Sequence, residues 1–227
     1  MLILAIDTAL EACSAALHDT GADTTLAVLR EPMVRGHAEA LIPMVARLLD
    51  EAGLSISDID AFAVTVGPGS FTGLRVGISA ARAFGLATGK PVIGLSTLAV
   101  LAAPLLARDD SVPVAAAIDA RHGNVYLQVI GAAGRVLVSP RAMPVRDAAR
   151  SVANGPVRLV GSGAPLIADA WPSGERAPIV LLGDLTPDPV WLARLAGVAD
   201  PARSEARPLY LREADAKPQT GGRIARR

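Results

Sequence analysis

The tripeptide Ala-Ile-Asp occurs twice, at residues 5–7 and 117–119, and each time it closes an apolar strand and opens a hairpin. The offset, 119 − 7 = 112 residues, is close to half of the 227-residue chain. A shared order of strand, aspartate and hairpin at that spacing predicts an internal duplication. The expected division is one half over 1–110 and a reduced half over 111–212. A polar, basic tail at 213–227 is expected to be disordered.

Hydrophobic periodicity fills in the halves. Residues 2–6 are a continuous apolar run, which predicts a strand buried on both faces, and runs at 13–18 and 24–29 complete a meander. Apolar positions then recur at helical spacing over 38–52. Pro43 lies inside that pattern, so the helix either kinks there or begins only near Ala40. A strand at 61–66, a helix at 71–88 stopped by Gly89 and Pro91, a strand at 92–95 and a helix at 97–107 finish the first half. The second half offers a strand at 125–130, a helix near 144–153, a strand at 157–160 and a helix near 189–195. This α/β pattern of two βββαβα units, the second shortened, resembles the actin, sugar-kinase and heat-shock ATPase superfamily. That resemblance implies two aspartates, Asp7 and Asp119, facing each other across a nucleotide cleft.

Composition narrows the function classes. Apolar residues make up 51% of the chain and aromatics only 3%, so the core must be built from close-packed Ala, Val, Leu and Ile. Lys plus Arg and Asp plus Glu both number 22, leaving no net field to concentrate a polyanion; any nucleic-acid contact is local or made through a partner. The single Cys13 excludes an internal disulfide and a cysteine-rich metal site. The first apolar run has no basic segment before it and breaks at Asp7, and later runs are cut well short of the roughly 20 residues a membrane span needs. A cytoplasmic protein with no membrane association is expected.

The run Gly67-Pro68-Gly69-Ser70-Phe71-Thr72-Gly73-Leu74-Arg75 is the most specific local feature. Successive N–H groups entering a helix there form either an anion site or a tight turn capped by Ser70. It is not a P-loop, because the phosphate-reaching Lys is missing. The candidate anion or nucleotide set is Asp7, Gly67, Gly69, Ser70 and Asp119, with Gly161 and Gly163 placed near an adenosine. Asp7 and Asp119 either hold Mg²⁺ through water or simply cap turns. Against nucleotide binding, the turn 7–11 lacks glycine and carries Glu11, which repels phosphate. The histidines, His18, His37 and His122, lack the one-turn spacing of a metal pair, so no metal or cofactor is expected. His18 and His122 are expected in solvent and His37 packed at a helix start.

The helix over 71–88 is apolar or small around nearly its whole circumference, apart from a sector formed by Arg75, Ser79 and Arg82. Gly73, Gly77, Ala81 and Gly85 lie four apart and form a ridge that another helix can approach closely. One sheet covers one side of such a helix, so a second polypeptide is expected to cover the rest.

The segments Ile3-Leu4-Ala5-Ile6-Asp7-Thr8, Arg35-Gly36-His37-Ala38-Glu39, Gly67 through Gly77, Ile118-Asp119-Ala120-Arg121 and Pro208-Leu209-Tyr210-Leu211-Arg212 together resemble the TsaB family, also called YeaZ. The resemblance implies a degenerate ATPase fold without catalysis of its own. It implies pairing with a catalytic TsaD-like subunit and a TsaE-like ATPase to place threonylcarbamoyl on a tRNA adenosine, with tRNA met only through that complex. A homodimer is implied when the partner is absent. The pairing surface it implies is the outward flank of the first long helix, His37, Ala40, Met44 and Arg47, and the small-residue face of the second, Gly73, Gly77, Ile78, Ala81, Arg82 and Gly85.

Overall fold

The computed structural model describes residues 1–181 and 186–212, so the tail at 213–227 lies outside the described residues. In the first half β1 (Leu2–Asp7), β2 (Ala12–Asp19) and β3 (Thr24–Pro32) precede α1 (His37–Ala52), β4 (Ala61–Gly67), α2 (Phe71–Thr88), β5 (Val92–Ser96) and α3 (Thr97–Arg108). The second half runs β6 (Val114–Asp119), β7 (Asn124–Ile130), β8 (Val136–Pro144), α4 (Val145–Val152), β9 (Arg158–Val160), α5 (Ala164–Asp169), β10 (Ile179–Leu181) and α6 (Pro189–Val198). Three of these escape sequence reading: α5 and β10 are too short to show a period, and β8 is mostly exposed and interrupted by Pro140. Helix α1 begins at His37 and runs through Pro43, which sits on its exposed side, where water can take the carbonyl left by the missing N–H.

The two sheets have the same wiring. An antiparallel meander is extended by two parallel strands, in the order β3-β2-β1-β4-β5 and again β8-β7-β6-β9-β10. The fold is therefore the duplicated βββαβα unit of the actin, sugar-kinase and heat-shock ATPase class, with a reduced second half.

Burial of β1 on both faces requires layers on both sides, and the fold supplies them from different halves. Leu4 and Ile6 pack under α1 and α2, against Leu41, Leu48, Leu74 and Ile78. Ile3 and Ala5 face Leu192, Ala193 and Ala196 of α6. Although α6 ends the second half in sequence, it lies on β1 and β2 of the first sheet; α3 ends the first half and packs on β6 and β7 of the second. Each half thus lends its last helix to the other. Helices α4 and α5 cover the remaining face of the second sheet.

The same exchange buries His18. Its side chain lies on the β2 face under α6, with Nδ1 3.1 Å from the Thr25 hydroxyl and Nε2 3.3 Å from Asp23, so the expectation of a solvated hairpin residue is corrected. Beyond α6 the chain returns to the first half once more: Gly94 N–H donates to Ser204 O at 2.8 Å and Leu209 N–H to Val66 O at 2.7 Å. Arg212 then reaches across to the Ala120 carbonyl, at 3.2 Å, so this strap touches both halves.

Candidate functional site

The entrance to α2 is built on the turn between β1 and β2. Ser70 N–H donates to Ala9 O at 2.7 Å, Gly73 N–H donates to Ser70 Oγ at 3.3 Å, and Thr8 Oγ1 donates to Gly73 O at 2.7 Å. A methyl group on Gly69 would overlap the Ala9 carbonyl oxygen, one on Gly73 the Thr8 carbonyl oxygen, and one on Gly77 the Thr8 hydroxyl. The glycines therefore buy closeness to the chain's own backbone. The anion reading of Gly67, Gly69 and Ser70 is corrected accordingly: carbonyl oxygens lie against this helix start, and their partial negative charge opposes a phosphate. Gly67 itself, at φ 112°, packs against Leu74 and the Leu209 carbonyl of the strap.

The two aspartates do not make a pair. Asp7 continues the Ile3 and Ala5 series, which faces α6, and is fully buried. Asp119 continues the Ala115 and Ala117 series, which faces α4 and α5, and is exposed. By face, Leu4 and Ile6 correspond to Ala115 and Ala117, so the structural offset of the first strand is 115 − 4 = 111, and Ile118 stands where Asp7 does. Strand pairing agrees, since Ile3 opposes Ala61 in β4 as Val114 opposes Arg158 in β9. A one-residue shift in a strand turns every side chain to the other face.

Around Asp7 the chemistry is that of a sealed carboxyl. Thr65 Oγ1 donates to Oδ1, Ala9 N–H donates to the same oxygen at 3.3 Å, and Oδ2 has no partner. Burial pushes its pKa up to about 6, against the opposing pull of the Thr65 hydroxyl, the Ala9 N–H and Arg30. The neighbouring Cys13 thiol is pushed up to about 11 by burial, then by Asp7 and Glu31. Between the halves lies a cleft of about 560 Å³ lined by Leu10, Glu11, Gly69, Ser70, Asp119 and Ser162 among others. Asp119 holds its own turn, accepting from Arg121 N–H at 2.8 Å, while Ser162 Oγ accepts from Asp119 N–H at 3.1 Å. Gly161 and Gly163 stand against the backbone of Ala117 and Ile118, again a close backbone approach.

The helix pair also differs from the sequence-derived surface. On α2 the ridge Gly73, Gly77, Ala81 and Gly85 is buried against Thr8, Val64 and Val92, and Ile78 lies in the core beside it. On α1, His37 and Met44 are buried, with His37 Nε2 3.2 Å from Leu10 O. These seven positions are corrected to internal packing: small residues let α2 sit close on its own sheet. Ala40 is half-buried, and Arg47 and Arg82 remain outside, Arg47 in contact with Glu31 at 3.0 Å. What α1 and α2 do expose is a neighbouring strip. Ile42 is 52% exposed, Phe71 48% and Leu86 88%. A groove of about 480 Å³ runs between the helices, floored by Leu41, Val76 and Ala80 and edged by Ala38, Thr72 and Ser79.

A family model described as TsaD, tRNA N6-adenosine threonylcarbamoyltransferase, matches residues 28–159. A Mycobacterium tuberculosis protein without an assigned function is 36% identical over 225 residues, covering 95% of this chain and 94% of that one. The TsaB protein of Escherichia coli, a tRNA threonylcarbamoyladenosine biosynthesis protein, is 46% identical over 126 residues, 56% of this chain and 53% of that one. The match thus spans about half the length of that relative. The crystal structure of YeaZ from Pseudomonas aeruginosa superimposes with a TM-score of 0.77 at 34% identity, covering 92% of this chain and 99% of that chain. The chain belongs to the TsaB (YeaZ) family.

In this TsaB-family chain the residues that sequence reasoning missed are the exposed apolar ones on the helix pair. Phe71 and Leu86 carry a signal that was available: each is a large apolar side chain on α2, whose small residues already supply a contact face, whereas Ile42 sits on α1 beside a face built of Leu41, Met44, Val45 and Leu48. Phe71 is further held by neighbours, with Arg75 3.7 Å above its ring and Tyr210 of the strap 5.6 Å away, centroid to centroid. No helix among the described residues is long and apolar enough to cross a membrane.

Proposed function

We propose that this chain is a partner subunit, without turnover of its own, in the biosynthesis of threonylcarbamoyladenosine in tRNA. In this reading it works in the cytoplasm. The exposed strip of α1 and α2 docks onto a TsaD-like catalytic subunit, a TsaE-like ATPase joins them, and a homodimer forms through the same strip when the partner is absent. The observation that carries the reading is the pairing of an α2 start closed by the chain's own carbonyls with an open apolar groove. Thr8 and Ala9 carbonyls lie against the start of α2, Asp7 is sealed, and Asp119 is turned to the other face. Meanwhile Ile42 and Phe71 stay largely in water at the groove, and Leu86 is exposed further along α2. Covering side chains of that size contributes roughly 1.5–3 kcal/mol each when burial is complete.

The test is to mix the purified chain with the TsaD-like protein of the same organism, follow the complex by size exclusion, and measure ATP hydrolysis with and without the mixture. Ile42→Glu is expected to weaken the complex at least ~10-fold while circular dichroism shows the isolated chain still folded. ATP turnover by the chain alone at the rate of the mixture would overturn the proposal in favour of a small-molecule kinase.

A further inference from the structure

A concavity of about 840 Å³ lies away from the helix pair, between the β6–β7 turn, α4 and the end of α5. Three guanidinium groups line it: Arg121 from the turn, and Arg146 and Arg150 one helical turn apart on α4. His122 and the half-buried Trp171 complete the wall. In a chain of zero net charge, this grouping of cations is not a by-product of a basic surface.

The groups are held in one frame. Arg121 and His122 are both left-handed, at φ 64° and 53°, a conformation that costs a non-glycine residue energy and that the hairpin maintains with several bonds. Asn124 N–H donates to Arg121 O at 3.1 Å and Asn124 Nδ2 donates to His122 O at 3.0 Å. Gly123 O accepts from Val145 N–H at 2.9 Å, which ties the turn to the first residue of α4 and so to Arg146 and Arg150. Trp171 Nε1 donates to Arg176 O at 3.1 Å, which orients the indole.

Two carboxylates, Asp119 and Asp169, share the wall, so the fixed charge of the site is three positive against two negative. That balance decides the ligand class. A free triphosphate brings several negative charges to one point and meets both carboxylates. A strand brings one negative charge per phosphodiester, spread along its length. The arginines suit its phosphates, the indole suits a base face, and the carboxylates accept from ribose hydroxyls or base amines. An open trough also suits a passing strand better than a small molecule, which gains affinity from enclosure.

We infer that this trough, built by Arg121, Arg146, Arg150 and Trp171, is a direct binding site for single-stranded RNA. The inference goes beyond the partner role proposed above, which leaves tRNA to the catalytic subunit, and rests on it only for the choice of probe.

The experiment measures fluorescence anisotropy of a labelled, unmodified tRNA transcript titrated with the full chain, from about 50 to about 200 mM salt. Arg146→Gln/Arg150→Gln, on the exposed face of α4, is expected to weaken binding roughly tenfold and to reduce the log–log salt slope by about 1.4, two phosphate contacts at about 0.7 each. Trp171→Phe, which retains an aromatic face, is expected to stay within about threefold of wild type, and Trp171→Leu to lose more. Circular dichroism confirms that each variant folds, and co-elution with the TsaD-like partner is expected to be unchanged by the arginine variant. That co-elution separates failure of this site from failure of the docking proposal. Wild-type affinity and slope in the arginine variant, no binding by the wild-type chain at low salt, or displacement of the transcript by equimolar ATP would each overturn the inference.

Discussion

The two halves share a strand order and use their first turn for opposite purposes. In the first half the turn after β1 is sealed: its carbonyls press on Gly69 and Gly73, its aspartate is buried, and an 18-residue α2 lies over it. In the second half the corresponding turn is open. Asp119, Arg121 and His122 are exposed, and the covering helix α5 has only six residues, which leaves the trough beside α4 uncovered. The lesson is that shortening one helix of a duplicated unit converts a packed face into a surface. Sequence similarity between the copies does not reveal which copy has been closed.

Several measurements can break or sharpen that contrast. The largest effect is expected for Gly77→Leu, because any side chain there meets Thr8 and Val64; it should lower the unfolding free energy of the isolated chain by more than about 3 kcal/mol in urea titrations. A variant that melts like wild type and loses only its partner would place the ridge on the outside after all.

Next comes the buried carboxyl. The folded pKa of Asp7, about 6, lies above its ordinary value, so over the intervening range the folded chain holds a proton that the unfolded chain has released. Stability from this group is therefore full below about pH 4 and lost as pH rises through about 6, a change on the order of 3 kcal/mol. Asp7→Asn is expected to remove that loss, so its stability relative to wild type should improve between about pH 4 and about pH 6 and level off above. An Asp7→Asn variant that tracks wild type across this range would contradict the sealed carboxyl.

Smaller still, Leu86→Ser removes an 88% exposed side chain and is expected to change stability by less than about 0.5 kcal/mol while weakening association with the TsaD-like partner. Least of all, Cys13 should be inert. Its thiol is buried and pushed up to about 11, so alkylation by iodoacetamide at neutral pH is expected only at the rate of unfolding, checked by mass spectrometry in native buffer and in urea.

Much of the scaffold is legible from residue periodicity. Helix α2 spans the 18 residues its apolar pattern marks out, between the Ser70 cap and Gly89, and β1 is buried on both faces as a continuous apolar run requires. The site is less legible. A small-residue ridge states that something comes close, yet Gly73, Gly77 and Gly85 look the same whether the neighbour is a partner helix or the chain's own β1, β4 and β5. Likewise the repeat of Ala-Ile-Asp aligns letters at an offset of 112, whereas the strands align at 111. Only a sheet, with its period of two, converts that one residue into opposite faces.

By itself, then, the sequence determined the element types, the duplicated wiring and the family, because these follow from local periodicity and from matched runs along the chain. Tertiary structure alone decided which half is sealed, where α6 is spent and which side of α2 meets water. Those outcomes depend on contacts between residues more than a hundred positions apart, such as Ile3 with Leu192, whose pairing no local pattern encodes.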